Sequence, residues 1–399
     1  MTATSIGHAP DSAPGPALAE VLTRTRRLLG CAAGDVPAGV TVADTLRIGR
    51  VVEATGDENP LFLDPGYGAR SWWRTLIAPP SFVLAVMGPE SRGALDAGAR
   101  DVVDLLGRIE LWWRDHIRLG DRVGASLRLV GAEPGAPWRG RDTIDILSRA
   151  VYRADGRVVG SATGTVRIHP LRHGQELVVE REMHRYGEEE IARLAGHLDR
   201  DPEPRGSRPR FFDEVAIADR LPEMMKGPLT WSDLITWIIA EGRPVVAGNL
   251  LQGEPAEETG SRPLNPVTGW PIADPRLLRE DLQACRDVGF PAPPARPALL
   301  AALVVQFITT WMGDDAFLRH LALSLEAPVL YGDSIRLSGE VADKFTQRIG
   351  GRRYHAVWLE IAGTNQLAER VLHAEGLVFL PARGHPVELP VPRGVGEAR

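Results

Sequence analysis

The chain has 399 residues, of which 44% are hydrophobic and 25% charged, a composition typical of one large or two ordinary globular domains. Its formal charge of −6 argues against the basic surface of a nucleic-acid-binding protein. Two distant cysteines, Cys31 and Cys285, argue against a disulfide framework or a cysteine-rich zinc site.

The N-terminal residues 1–16 are rich in Pro, Ser and Gly and are predicted to be disordered. They lack the basic start and apolar stretch of a signal peptide, and no later apolar run reaches the ~20 residues of a membrane span. A cytoplasmic location without membrane contact is therefore expected. The segment ALAEVLTRTRRLLG then has the spacing of a short amphipathic helix, and alternation in LGDRVGASLRLVG and DTIDILSRAVY predicts strands.

An internal repeat organises the rest of the chain. HIRLGDRVGASLRLVG (116–131) resembles PVLYGDSIRLSGEVAD (328–343), and each segment is followed by two strands joined by a polar turn. The repeat aligns Asp121 with Asp333, which we interpret as structural residues of strand-opening turns. Two such matches at nearly equal spacing predict a duplicated domain, although two generic hairpins would explain the same pattern.

The repeat predicts an N-terminal domain at 17–170, a linker with one helix (EEEIARLAGHL) at 171–210, a C-terminal domain at 211–385 and a tail at 386–399. A Gly/Pro-rich excursion at about 242–297 is too long for an idle loop and is expected to cover a site or pack as a lid. PALLAALVVQFITTWMG is apolar nearly all round and predicts a buried helix, with PPSFVLAVMG as its first-half counterpart. The expected fold is α+β, with two bent antiparallel sheets each wrapping a buried helix.

One stretch resembles a known family. GDENPLFLDPGYGARSWWRTLIAPPSF (56–82) resembles the signature of MaoC-like hydratases and dehydratases, and more closely the N-terminal domain of FAS1-type dehydratases. KGPLTWSDLITW and TTWMGDDAFLRHLALSLEAPVLYGDSIRLSGEVADK resemble the second half of the same proteins, so the resemblance covers roughly 45–383. It implies a double hot-dog fold, which is a pseudo-dimer in one chain.

The resemblance also implies a chemistry: water adds to a trans-2-enoyl thioester, or leaves a 3-hydroxyacyl thioester. A base must reach the weakly acidic Cα proton, and N–H donors must stabilise the enolate oxygen. The substrate would be carried by coenzyme A or by an acyl carrier protein. Neither a cofactor nor a metal is expected.

The family's site residues map onto the 56–82 stretch. Asp57 and Asn59 take the catalytic positions, whereas Phe62 stands where a histidine is expected and cannot transfer a proton. The N–H groups of Ser81 and Phe82 are the expected oxyanion donors, and the expected substrate-binding side chains are Phe62, Tyr67, Trp72 and Trp73. An ordinary turn at Asp57 and Asn59, and simple core packing of the aromatic residues, remain as alternatives.

Other histidines and acids of the chain could take the place of the missing histidine. His116, His355 and His373 lie on predicted strands, and of these His355 and His373 are secondary candidates because they could face a tunnel in the second half. Asp281, next to Glu280, is a further candidate acid inside the long excursion. The alternatives are ordinary strand histidines and a solvated charged helix.

The resemblance therefore predicts a MaoC-like hydratase or dehydratase acting on a hydrophobic acyl-thioester or polyketide-type substrate. Because the loop lacks its histidine, a second hypothesis is a tunnel repurposed as a cyclase or pericyclase in natural-product biosynthesis. A third is a non-catalytic subunit that completes another chain's site. A homodimer of the double unit is compatible with all three.

Overall fold

The computed structural model describes residues 15–29, 36–37, 41–89, 102–138, 141–170, 179–242, 269, 282–287 and 289–394. The described helices are α1 (Pro16–Leu28), α2 (Thr45–Thr55), α3 (Pro60–Leu63), α4 (Pro65–Arg70), α5 (Phe82–Val86), α6 (Glu188–Leu198), α7 (Trp231–Ala240), α8 (Leu282–Asp287) and α9 (Pro297–Met312). The described strands are β1 (Val36–Pro37), β2 (Thr41–Val42), β3 (Val102–Trp113), β4 (Arg122–Trp138), β5 (Arg141–Ala154), β6 (Arg157–Pro170), β7 (Arg220–Lys226), β8 (Phe317–Leu325), β9 (Ile335–Ile349), β10 (Arg352–Asn365) and β11 (Arg370–Leu380).

All the described strands join one antiparallel sheet in the order β1-β4-β5-β6-β3-β8-β11-β10-β9-β7, with β2 also paired to β4. The two halves of the chain meet where β3 pairs with β8, from Arg108 opposite Ser324 to Trp112 opposite His320. The predicted strands are confirmed. Burial alternates along β5 and β6, as expected for strands with one face on a core.

The two halves repeat the same turn before their long strands. Asp121 Oδ2 accepts the Arg118 N–H at 2.9 Å, and Asp333 Oδ2 accepts the Leu330 N–H at 2.8 Å. Both carboxylates hold the turn that the glycine before them makes at positive φ. The structural interpretation of the two aspartates is confirmed, and the shared geometry supports a duplication.

The helix that precedes each core is also repeated. Gly120 donates its N–H to Ala43 O at 2.9 Å just before α2, and Gly332 donates to Leu229 O at 2.8 Å just before α7. The same backbone contact thus anchors both helices to the strand-opening turn, which makes α2 and α7 equivalent elements of the two halves.

The buried helices differ in length. Every residue of α9 from Ala298 to Met312 is buried, as its apolar sequence predicts. Its first-half counterpart is shorter than the predicted PPSFVLAVMG, because α5 starts only at Phe82 and ends where Met87 takes an extended conformation. Among the helices of the described part of the chain, none is both long and apolar enough to cross a membrane.

The connecting segments pack against these units. The linker helix predicted from EEEIARLAGHL is α6. In the predicted tail, Val387 and Val391 are buried, and Val391 donates its N–H to Arg114 O at 2.7 Å. The Tyr354 hydroxyl on β10 also donates to Glu388 O at 3.0 Å, so the tail contacts both halves of the chain. Of residues 1–16, which were predicted to be disordered, 1–14 fall outside the described residues and Pro16 begins α1. Most of the long excursion also falls outside the described residues.

Candidate functional site

The loop with the candidate residues begins where α2 ends. Gly56 ends α2 in the left-handed region, at φ 63°, which glycine adopts without strain. Gly242 follows α7 at φ 66°, so the two halves share this turn. The sequences then diverge, because DENP follows Gly56 whereas RPVV follows Gly242. Of the two equivalent turns, the first is the one followed by a carboxyl and an amide.

Asp57 and Asn59 form two consecutive turns. Asp57 Oδ1 accepts the Asn59 N–H at 2.9 Å, and Asn59 Oδ1 accepts the Leu61 N–H at 3.0 Å and caps α3. Both side chains are buried. The ordinary turn considered as the alternative is thus present in the structure. It uses only the side-chain oxygen of Asn59 and leaves the Nδ2 group for another contact. Asn59 Nδ2 donates to Asp314 Oδ1 at 3.3 Å, across to the second half of the chain.

Two side chains of the second half hold the carbonyl groups that precede Asp57. Lys226 Nζ donates to Thr55 O at 3.0 Å, and Gln306 Nε2 donates to Gly56 O at 2.8 Å. Lys226 ends β7 and Gln306 lies on the buried helix α9. The loop therefore sits at the seam between the halves and takes its backbone position from both of them.

Asp314, directly after α9, is the centre of a hydrogen-bond cluster. Its Oδ2 accepts the Tyr67 hydroxyl at 2.6 Å and its Oδ1 accepts Asn59 Nδ2, while its backbone oxygen accepts Trp73 Nε1 at 2.7 Å. The sequence did not indicate a role for Asp314. The structure instead makes Asp314 the point at which three side chains of the 56–82 loop bind the second half.

Burial changes the ionisation of this cluster. It raises the pKa of Asp57 to about 6, although the Asn59 N–H and the Lys226 charge both favour the carboxylate. Burial also raises the pKa of Asp314, against the lowering effect of hydrogen bonds from Tyr67 and Asn59. The pKa of Lys226 is lowered by burial. A carboxyl that titrates near pH 6 can exchange protons under ordinary conditions.

Two small cavities lie beside this cluster and share Pro80 and His116 as lining residues. Each has a volume of about 10 Å³, roughly the space that one water molecule needs. Asn59, His116, Thr309 and Asp314 are among the residues that line the first cavity, together with an apolar wall that includes Leu61, Phe62, Ile77 and Met312. Asp57 is not one of the lining residues.

His116 is the imidazole of this site, and the sequence did not single it out. It lies in the connection between β3 and β4 rather than on a strand, with Trp73 and Phe317 packed edge-on at ring-centroid distances of 4.3 and 5.2 Å. Its Nε2 is buried without a hydrogen-bond partner. Burial, helped by the Arg118 charge, lowers the pKa of His116 to about 3, so its ring is neutral.

The internal repeat contained a signal for His116. Aligning Asp121 with Asp333 places His116 opposite Pro328, so a titratable ring in one half replaces an apolar residue in the other. Asp314 had no comparable signal. An aspartate after an apolar helix is usually a turn residue, and only the fold brings Asp314 to Tyr67 and Asn59.

The expected oxyanion donors are placed differently from the expectation. The Phe82 N–H already donates to Pro79 O at 2.9 Å, so it is not free for a ligand in this conformation. The Phe82 side chain faces a separate open pocket of about 260 Å³, together with Arg47 and Glu241. Ser81 is buried at the start of α5.

The four expected substrate-binding aromatic residues separate into three groups. Phe62 lines the water-sized cavity. Tyr67 and Trp73 reach Asp314 with their polar atoms and hold it in place. Trp72, at 56% exposed, points to solvent and takes no part in the cluster.

The two secondary candidates that the structure describes, His355 and His373, do not line the cavity. His355 on β10 contacts Thr346 Oγ1 at 3.2 Å, and His373 on β11 contacts Glu360 at 3.3 Å; both have partners on neighbouring strands. Asp281 lies outside the described residues. In the described part of the chain, no group of three or more His, Cys, Asp or Glu side chains is arranged to hold a metal ion.

Comparisons with known proteins identify the fold and one region. Residues 40–135 match the family model of the FAS1-like dehydratase domain region, which includes the whole 56–82 loop. No protein of curated function matches the chain.

Three solved structures share the overall arrangement. A MaoC-like dehydratase is 16% identical, with 89% of this chain and 99% of that chain covered and a TM-score of 0.58. A putative MaoC domain protein dehydratase from Chloroflexus aurantiacus is 11% identical, with coverages of 89% and 96% and a TM-score of 0.56. A conserved protein of Mycobacterium tuberculosis with a double hotdog fold is 14% identical, with coverages of 87% and 95% and a TM-score of 0.52. The predicted double hot-dog fold is confirmed.

Proposed function

We propose, for a chain with the double hot-dog fold and a FAS1-like dehydratase region at residues 40–135, that it hydrates a 2-enoyl thioester or catalyses the reverse dehydration. The observation that carries the proposal is the seam cluster, which consists of Asp57, Asn59, Tyr67, His116 and Asp314. It places a carboxyl of pKa about 6 next to Asn59, a residue that lines a water-sized cavity.

In the proposed hydration the oxygen of one water bonds to Cβ of the substrate. Asp57 accepts a proton from this water, the C=C electron pair forms the new Cα–H bond, and the proton for that bond comes from the Asp57 carboxyl. The carboxylate is thus restored at the end of each turnover, and dehydration is the same path reversed. Catalytic contacts commonly form only in the substrate complex, so the absence of Asp57 from the cavity wall in the free protein is compatible with this role.

The cavity walls support a hydrophobic substrate. Phe62, Leu61 and Met312 give the cavity an apolar side, which favours a hydrophobic acyl group on the thioester. A cavity of about 10 Å³ holds a water but not an acyl chain, so substrate binding must displace some of these side chains. The proposal therefore specifies an acyl thioester of coenzyme A or a carrier protein, including polyketide-type chains.

The test is hydration of trans-2-hexenoyl-CoA by the purified protein and two variants. Asp57→Asn keeps the Oδ1 acceptor for the Asn59 N–H but cannot exchange a proton, and is expected to lower kcat by about 10²-fold or more. Glu58→Gln removes a carboxylate from the neighbouring, exposed position and is the matched control. Full turnover in Asp57→Asn would remove Asp57 from the mechanism.

Two other outcomes support the alternatives. Ring formation from a linear polyene or polyketide substrate, unchanged in Asp57→Asn, would favour the cyclase. Hydration seen only after a second hot-dog chain is added would favour a subunit that completes another protein's site.

A further inference from the structure

We propose that His116 binds the reacting oxygen through Nε2, so that an imidazole from the β3–β4 connection replaces the one that the loop lacks at Phe62. The reacting oxygen belongs to water in hydration and to the departing hydroxyl in dehydration. This inference rests on the proposed function and deepens it by naming a contact to the oxygen itself.

The first support is the fixed position of the ring. His116 follows Asp115, whose Oδ1 accepts the His116 N–H at 2.9 Å, and Asp115 is itself held by Arg118 and Arg157. The ring packs between Trp73 and Phe317. Because backbone and ring are both held, Nε2 has a defined direction before any ligand arrives.

The second support is the free nitrogen. His116 is only 7% exposed and its Nε2 has no hydrogen-bond partner. A buried polar atom left unsatisfied costs about 1–3 kcal/mol, so such an atom in a folded protein calls for an explanation. The adjoining cavities have room for one water each, and an oxygen bound there would satisfy Nε2.

The third support is the set of residues that line the cavity together with His116. The cavity that His116 lines is also lined by Phe62, Asn59 and Asp314. A histidine at position 62 and the histidine at position 116 would therefore face the same space from different walls. Asn59 and Asp314 come from the two halves of the chain, so His116 lines a cavity that lies where the halves meet.

The ring's charge suits hydrogen bonding rather than proton exchange. Buried as it is, with Arg118 near, His116 remains neutral at ordinary pH. A neutral imidazole can donate or accept one hydrogen bond to an oxygen without changing its own protonation. The proton balance of the reaction thus stays with Asp57, and His116 only orients and stabilises the oxygen.

The deciding experiment compares His116→Phe with wild-type protein in the hydration of trans-2-hexenoyl-CoA. Phenylalanine keeps the ring packing between Trp73 and Phe317 but has no nitrogen. We expect kcat to fall by about 10²-fold, because removal of one donor to a reacting oxygen typically costs that much, while KM changes less than threefold. His373→Phe, which removes an imidazole outside the cavity, is the matched control and should keep kcat within twofold.

A rescue experiment separates this role from a purely structural one. In the His116→Phe background, Phe62→His places an imidazole at another position that lines the same cavity, and it is expected to recover at least tenfold of the lost kcat. If His116→Phe does not fold, His116→Gln, which keeps a polar atom near Nε2, is measured instead and is expected to retain more than a tenth of wild-type kcat.

The outcomes distinguish the proposed hydration activity from the proposed role of His116. Absence of hydration by the wild-type protein refutes the proposed function, and the role of His116 with it. Wild-type hydration with an unchanged kcat in His116→Phe refutes the role of His116 alone. In wild-type protein, the ¹⁵N signal of His116 Nε2 should shift when 3-hydroxyhexanoyl-CoA is added, and an unshifted signal under saturating ligand contradicts direct contact.

Discussion

Burial destabilises the charged form of the Asp57 carboxyl, and the neighbouring groups offset this effect only in part. One backbone N–H and the Lys226 ammonium stabilise the charged form, yet burial still raises the pKa to about 6. A residue optimised only for stability would not carry such a shift, since an asparagine could make the same turn hydrogen bond. The shift is therefore consistent with selection for proton exchange at this position.

This shift predicts a pH dependence of stability. The folded pKa of about 6 exceeds the ordinary value of 3.8, so the stability contributed by protonated Asp57 is complete below pH 3.8 and is lost as pH rises through 6. Asp57→Asn has no such loss. Its free energy of unfolding relative to wild type should therefore rise by up to roughly 3 kcal/mol between pH 4 and pH 7. Urea unfolding at both pH values measures this, and a difference that is independent of pH would contradict the raised pKa.

The stability of the protein should depend more on the charge of the residue at position 59 than on its size alone. Asn59→Asp replaces the amide donor that faces Asp314 with a second carboxylate, and we expect a loss of about 3 kcal/mol or more at pH 8. The loss should be smaller at pH 5, because one carboxyl of the pair can then be protonated. Asn59→Ala removes the α3 cap and the donor to Asp314 without adding charge, and its loss should be smaller and should depend less on pH than that of Asn59→Asp. Equal losses for Asn59→Asp at both pH values would contradict this account.

At the scale of elements, the 56–82 loop is positioned by close backbone packing. Gly68 on α4 lies against the backbone of Thr75 and Leu76, where an added Cβ would come within 2.4 Å of Leu76 N. The same helix carries Tyr67, which binds Asp314. The approach of α4 to the 75–76 segment thus decides where the Tyr67 hydroxyl lies.

Two glycine substitutions test this packing. Gly68→Ala should destabilise the protein by about 1–3 kcal/mol through overpacking, and should lower hydration activity by displacing Tyr67. Gly49→Ala in α2, where an added Cβ meets nothing within 4 Å, should stabilise the protein by about 1 kcal/mol through helix propensity. Thermal unfolding of both variants measures the contrast. A Gly68→Ala protein as stable as Gly49→Ala would show that the close approach does not matter.

At the scale of the whole molecule, three features connect the two halves: a continuous sheet, contacts from the second half to the 56–82 loop, and a buried arginine. Arg319 on β8 donates to Trp113 O on β3 and lies over the Trp112 ring at 5.2 Å. Lys226, Gln306 and Asp314 hold the first-half loop from the second half. Such connections make independent unfolding of one half costly.

We therefore expect a single cooperative thermal transition for the wild-type chain. Arg319→Met leaves the Trp113 carbonyl without this donor and should lower the free energy of unfolding by about 1–3 kcal/mol while the transition stays single. Calorimetry together with near-ultraviolet circular dichroism checks both statements. Two separate wild-type transitions would show that the seam does not couple the halves.

More of the fold than of the site could be predicted from the sequence. Periodicity and the Asp121/Asp333 repeat predicted the strands, the buried helix and the duplication, because these depend on local patterns that both halves preserve. The site depends on contacts between residues far apart in the chain. Asp314 lies more than 240 positions from Tyr67, and no local pattern predicts that pairing. The loop motif indicated Asp57 and Asn59, whereas His116 and Asp314 required the packed seam.

The most direct test of the central claim is the pH profile of kcat/KM for hydration of trans-2-hexenoyl-CoA. The account predicts turnover that rises with pH through about 6, as the Asp57 carboxyl ionises and can accept the water proton, and predicts that Asp57→Asn removes this rise along with most of the activity. Wild-type protein without hydration activity at any pH, or an Asp57→Asn variant with the same profile as wild type, would contradict it.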